Sequence, residues 1–194
     1  MSFTDLIDVA VNLRPDRLVF GELRGAEAFN VLEALQRGMD GSIMLLHATG
    51  PSDALNRLET MCYLMSSDVP VRGVQEMIVR AVDVIVEIQR LRDGSRRVIC
   101  VAEVTGVRDN RIQVENIFEF EQTDIDAGKI IGRIRPTGKR PSFISRIEEA
   151  GVYLPPTVFG IGGSRFPVNS QRSDHQRSKK RVEKWEAEFV PQGG

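Results

Sequence analysis

The sequence is poor in the residues that staple a fold or hold a metal. Its 194 residues include two cysteines, Cys62 and Cys100, and two histidines, His47 and His175. The cysteines lie far apart inside apolar patterns and read as reduced core residues; neither pair has the ligand spacing of a metal cluster. No serine or cysteine has a partner that would make it a nucleophile, which removes the covalent hydrolases. No apolar run is long enough to span a bilayer, and Met1–Arg14 lacks the basic start and apolar block of an export signal, so a cytoplasmic location is expected. The formal charge of −1 lacks the excess of a general nucleic-acid binder. There is no internal repeat. What remains is ordinary globular composition, 41% hydrophobic, enough for a real core and for one domain or a little more.

The informative stretch runs from Arg14 to His47. Leu18-Val19-Phe20 is a short apolar run followed by Gly21 and Glu22, and Ile43-Met44-Leu45-Leu46 is a second, followed by His47. Each is apolar on both faces, the pattern of a strand buried in a parallel sheet. Between them Ala26, Phe29, Leu32 and Leu35 recur at helical spacing, with Glu27, Asn30 and Glu33 turned the other way. A strand–helix–strand unit of this kind puts its second strand parallel to the first. Glu22 and His47 are then expected just beyond the carboxyl ends of their strands, where open parallel sheets bind ligands.

Around this unit, Thr4–Leu13 reads as a helix with Leu6, Val9, Ala10 and Leu13 as its apolar stripe, Thr4 as its cap and Pro15 as its stop. Pro51 opens a further helix whose wide face carries Ala54, Leu55, Leu58, Met61, Cys62 and Met65, and another helix spans Val71–Val82. The period then changes to two. Val82–Gln89, a turn at Arg92-Asp93-Gly94-Ser95 and Arg97–Val104 form one hairpin, and Asp109-Asn110 marks the turn of a second. From Glu119 the pattern loosens, a short helix around Phe143–Ala150 closes at Gly151, and Leu154-Pro155-Pro156 ends the expected order. The division is therefore residues 1–159 as one domain and 160–194 as a charged tail expected to be disordered, its Lys179-Lys180-Arg181 run being a solvated face or a weak electrostatic contact.

Arg14-Pro15-Asp16-Arg17-Leu18-Val19-Phe20-Gly21-Glu22-Leu23-Arg24-Gly25-Ala26-Glu27-Ala28 resembles the Walker B segment of the type II/type IV secretion-system ATPases. Gly41–Ala48 resembles the family's histidine box and Asp53–Glu59 its following helix, with CpaF-like ATPases of tight-adherence pilus systems as the nearest branch. The resemblance covers about Thr4 to Phe159. It implies an α/β fold: part of a RecA-like P-loop nucleotide-hydrolase core, a parallel sheet with helices, extended by antiparallel hairpins. It also implies ATP and magnesium as cofactors, a homo-hexameric ring and inner-membrane platform proteins as partners; from the charge, no direct contact with nucleic acid is expected. Glu22 becomes the catalytic carboxylate that orients water, near magnesium through that water, and His47 the residue that contacts or senses the γ-phosphate. Arg24 becomes an electrostatic partner at the nucleotide or the subunit boundary. Arg57 reads as a phosphate or inter-subunit contact, or as a solvated surface arginine.

The family's phosphate-binding loop lies upstream of its Walker B strand. A search for G-x-x-x-x-G-K-[ST] meets only Gly128-Lys129-Ile130 and Gly138-Lys139-Arg140, without the hydroxyl, and Gly160–Ser164, without a lysine. Three departures accompany this: Met39 in place of a histidine, Met44 and Leu45 in place of threonines, and Thr49 in place of an asparagine. The expectation is the carboxyl-terminal part of a secretion ATPase that contributes Walker B and histidine-box groups to ATP hydrolysis and is inactive alone. The alternatives are a non-catalytic module that modulates secretion-ring subunits, which makes the expected open sheet edge a docking surface, and a nonfunctional gene remnant.

Overall fold

The computed structural model describes residues 3–65 and 69–162, and the chain divides into one compact unit, Met1–Ile161, and a second stretch, Gly162–Gly194. The expectation of a disordered tail lies outside the described residues.

The first half of the unit is the α/β layer. Helix α1 (Phe3–Asn12) leads to β1 (Val19–Glu22), α2 (Glu27–Leu35), β2 (Ile43–Leu45), α3 (Pro51–Met65) and α4 (Val71–Ala81). Strands β1 and β2 pair in parallel, Val19 opposite Ile43, Phe20 opposite Met44 and Glu22 opposite Leu45. Ser42 sets this pairing: its hydroxyl accepts from the amide of Leu18 at 2.9 Å and donates to the carbonyl of Met39 at 2.7 Å. Gly41, at φ +78°, makes the preceding turn, and a Cβ there would lie 3.1 Å from the Arg17 guanidinium.

The core lies beneath α2. Ala28, Val31 and Leu32 are fully buried, with Leu55, Leu58 and Cys62 of α3 and Val74 and Ile78 of α4 closing around them. Burial pushes the Cys62 thiol up to about 11, with help from Glu59, as befits an inert core cysteine. Helix α1 turns a different stripe inward from the one its leucines suggest: Ile7, Ala10 and Val11 meet the core, while Leu6 and Val9 are exposed. Both stripes have helical spacing, and contact with α2 selects between them. Thr4 is not a cap; its hydroxyl accepts from Asn30 Nδ2 at 2.9 Å and ties α1 to α2.

The two parallel strands bury one face. Phe20 and Met44 pack on the core, whereas Val19, Ile43 and Leu45 are 78%, 63% and 54% exposed. The apolar runs thus have an open outer side instead of the two-sided burial their composition suggests.

The second half is an antiparallel sheet in the order β3-β4-β5-β6, from β3 (Val84–Arg90), β4 (Arg96–Arg108), β5 (Arg111–Asp126) and β6 (Lys129–Pro136). It pairs only within itself among the described residues and meets the α/β layer through α3 and α4. Asp109 and Asn110 both have positive φ, the two-residue turn that matches strand twist. Ala127 and Gly128 do the same between β5 and β6. The expected loosening after Glu119 is therefore wrong: β5 continues to Asp126 and returns as a third hairpin. Gly132 in β6 lies under the ring of Phe120, where a Cβ would come within 2.4 Å of Cζ.

Residues 137–161 fold back over the sheet as a strap. Helix α5 (Ile144–Glu149) ends at Gly151, φ +83°, and a single 3-10 turn (Pro156–Phe159) carries Phe159 into a second small core with Ile117 and Ile144. The rings of Phe118 and Phe159 stand 6.0 Å apart. Order thus extends beyond Pro156. No helix among the described residues is long and apolar enough to cross a membrane.

Candidate functional site

The parallel pair brings together residues that are 25 positions apart in sequence. Glu22 is the last residue of β1 and His47 follows β2 by two residues. His47 Nε2 lies 3.4 Å from Glu22 Oε1, and Arg24 Nη2 donates to Glu22 Oε2 at 2.6 Å. Each carboxylate oxygen therefore faces one nitrogen-bearing group. The glutamate side chain is a quarter exposed, while those of His47 and Arg24 are 76% and 78% exposed, so all three line open surface at the carboxyl ends of the strands.

The hydrogen bond from Arg24 is the main cause holding the Glu22 carboxyl below its ordinary value, against partial desolvation and with smaller help from the charges of Arg24 and His47. The same contact raises the Arg24 guanidinium. A carboxylate kept ionised and aimed by two neighbours can accept a hydrogen bond from a water and orient it.

The turn after β1 is closed by Glu27, the first residue of α2. Its Oε1 accepts from the amides of Arg24 at 2.7 Å and Gly25 at 3.0 Å. Desolvation pushes the Glu27 carboxyl upward, but the amides of Arg24, Glu27 and Gly25 outweigh it and leave a lowered value. The two amides of the turn that leads into α2 are thus already held by an internal carboxylate and are not free for a phosphate.

Arg57 lies on the exposed side of α3, away from the buried stripe of Leu55, Leu58, Met61 and Cys62. Its charge acts on Asp53, one turn earlier. Asp53 accepts from the amide and the hydroxyl of Thr49 at 2.9 and 3.1 Å, closing the start of the helix that follows His47. The Thr49 amide, against desolvation, and then the Thr49 hydroxyl and Arg57 hold the Asp53 carboxyl low. Among the departures noted in the sequence, Thr49 thus has a structural partner, Met39 is a core residue at 8% exposure, and Leu45 points to the open face. Among the described residues no group of three or more acidic, histidine or cysteine side chains is placed to hold a metal.

Glu22, Arg24 and His47 lie together at the strand ends, whereas Arg57 lies on the exposed side of α3, where its charge acts on Asp53. Glu27 was legible only as part of the motif; its signal was an acidic residue in the first turn of a helix, the position that binds amides left open there.

This arrangement lies inside a stretch with clear relatives. A family model described as "Type II/IV secretion system protein" matches residues 1–127. The chain belongs to that family. Conjugal transfer protein TrbB of Rhizobium radiobacter is 35% identical over 125 residues, 61% of this chain and 37% of that protein. Type IV secretion system protein PtlH of Bordetella pertussis is 33% identical over 100 residues, 50% of this chain and 30% of that protein. Among solved structures, the VirB11 ATPase of the Brucella suis type IV secretion system superposes with a TM-score of 0.50 at 25% identity, over 53% of this chain and 32% of its own. The chain spans about a third of the length of these relatives. The family match covers the α/β layer and most of the antiparallel sheet, and the strap from 137 onward follows it.

Proposed function

We propose that this chain supplies the Walker B and histidine-box groups of a secretion ATPase of the CpaF-like, pilus-assembling kind, working on the cytoplasmic side of the inner membrane beside ring subunits and platform proteins. The observation that carries this reading is the meeting of Glu22 and His47 at 3.4 Å across two parallel strand ends, with Arg24 on the other carboxylate oxygen. Glu22 orients the attacking water, and His47 contacts the terminal phosphate. Arg24 and, less directly, Arg57 supply positive charge for the phosphates of ATP. Such a site works by placing and stabilising charge, since phosphoryl transfer asks little covalent chemistry of the protein.

Magnesium fits this donor set only through water. One partly exposed carboxylate held by an arginine is an outer-sphere partner, and magnesium ordinarily keeps several waters while it binds substrate phosphates. The ion would enter with the nucleotide, and Glu22 would meet one of its waters.

The amides of the turn before α2 are taken by Glu27, so in this reading the β- and γ-phosphates draw their cradle from elsewhere. The proposal assigns it to a glycine-rich loop of a neighbouring subunit or of further polypeptide, within a hexameric ring. The test mixes the purified chain, as wild type and as Glu22→Gln, with a full-length ATPase of the family. Turnover should respond to the wild type, and the variant should hold nucleotide without releasing product. Equal turnover with both would sink the catalytic role.

The exposed Val19, Ile43 and Leu45 favour a second reading, a non-catalytic module that docks on ring subunits through this face. Under it Glu22→Gln changes nothing, and Ile43→Lys abolishes association.

A further inference from the structure

We propose that Glu27 is a positioning residue for the Glu22–Arg24–His47 group: its carboxylate clamps the turn between β1 and α2 so that the Arg24 guanidinium is held on Glu22. The use of that group in nucleotide chemistry rests on the function proposed above; the clamp itself rests on geometry. Glu27 Oε1 takes both amides of the turn, Arg24 N at 2.7 Å and Gly25 N at 3.0 Å. Gly25 is in close contact with the same carboxylate, since a Cβ there would lie 3.2 Å from Glu27 Oε2. On either side the chain is already fixed, by Leu23 N to the Leu45 carbonyl at 2.9 Å and by Ala28 N to the Gly25 carbonyl at 3.1 Å. Arg24 and Gly25 are the residues between those anchors whose amides Glu27 holds.

The clamp matters because Arg24 has nothing else to hold it. Its side chain is 78% exposed, and an exposed ion pair is ordinarily worth little, because ordering two long side chains offsets most of the attraction. Fixing the arginine's backbone removes part of that ordering cost and makes the 2.6 Å contact the resting arrangement. Glu27 touches neither His47 nor the Glu22 carboxylate in any hydrogen bond of the structure, so it acts through Arg24.

The charged groups that bear on Glu22 are Arg24 and His47, with Glu27 acting on Arg24. Two effects of removing Glu27 therefore have opposite signs. Loss of its negative charge alone favours ionised Glu22 and moves the Glu22 titration down. Loss of the clamp loosens Arg24 and moves it up, toward the ordinary carboxylate range. The experiment follows the Glu22 side-chain carboxyl by carbon NMR against pH in the full chain, as wild type, Glu27→Ala and Glu27→Asp. The aspartate keeps the charge but is one methylene too short to reach both amides, and it carries the test if the alanine variant does not fold. An upward shift in the aspartate variant is expected, and the alanine variant, where it folds, should lie below the aspartate variant by the effect of the lost charge. An unchanged or lowered midpoint in the aspartate variant, which keeps the charge, overturns the clamp. This readout involves no nucleotide, so it separates from the Glu22→Gln turnover test: a clamp that holds beside an inert Glu22→Gln leaves the positioning and removes the catalysis, and the reverse result removes the positioning alone.

Discussion

The parallel layer and the antiparallel sheet solve burial differently. In the first, β1 and β2 are brought together by a helix 24 residues downstream of one another in register, Val19 against Ile43, and their outer face remains open. In the second, each strand pairs with its neighbour in sequence through turns of two to five residues, and the chain's own continuation covers Ile117 and Phe118. Its outer strand β3 still presents Val84, Val86 and Ile88. A hairpin needs only local closure, whereas a parallel pair needs a crossover and leaves two faces to cover. Glu22, Arg24 and His47 sit on the layer that closes itself less completely.

Deleting core atoms under the parallel layer should give the largest effect. Leu32 is fully buried between α2 and the helices that follow, so Leu32→Ala should cost about 2–5 kcal/mol in urea unfolding and shift the resonances of Glu22 and His47. A smaller change located only in the antiparallel sheet would erase the distinction between the two regions. Next, Gly132→Ala drives a Cβ to 2.4 Å from the Phe120 ring and 2.6 Å from the Glu121 carbonyl. Overpacking of this kind should cost about 1–3 kcal/mol, with the Glu22–His47 region left unperturbed in the same spectra.

The smallest effect is a pH dependence. Asp93, in the first hairpin turn, takes the Ser95 hydroxyl at 2.7 Å and the Ile130 amide at 2.9 Å, joining that turn to the start of β6. The Ser95 hydroxyl, then the amides of Ile130 and Ser95, and Lys129 hold its carboxyl at about 2 in place of 3.8. A value lowered by folding means stability present above about 4 and lost as pH falls toward 2. Asp93→Asn should therefore lower the urea midpoint at neutral pH, and its difference from the wild type should shrink below pH 4. A constant difference across that range would show that the turn contact is not tied to the charge.

Much of this was legible in the residues. The β1–α2–β2 unit follows from two apolar runs with a helical pattern between them, and the first two hairpins from period-two alternation with Asp109-Asn110 and Asp93-Gly94 as turn residues. The third hairpin was missed because Glu119–Asp126 carries mostly polar side chains and its turn uses Ala127, a residue that seldom adopts positive φ. The buried stripe of α1 was missed because two stripes of equal spacing compete, and only the position of α2 chooses Ile7.

The sequence by itself determined the family, the order of elements through the second hairpin and the identities of Glu22, Arg24 and His47, because motifs and periodicity are properties of neighbouring residues. The tertiary structure alone decided that Glu22 meets His47 at 3.4 Å. It also decided which face of β1 and β2 is open. Those are distances between segments that share no local pattern, and they are set by strand register and helix packing.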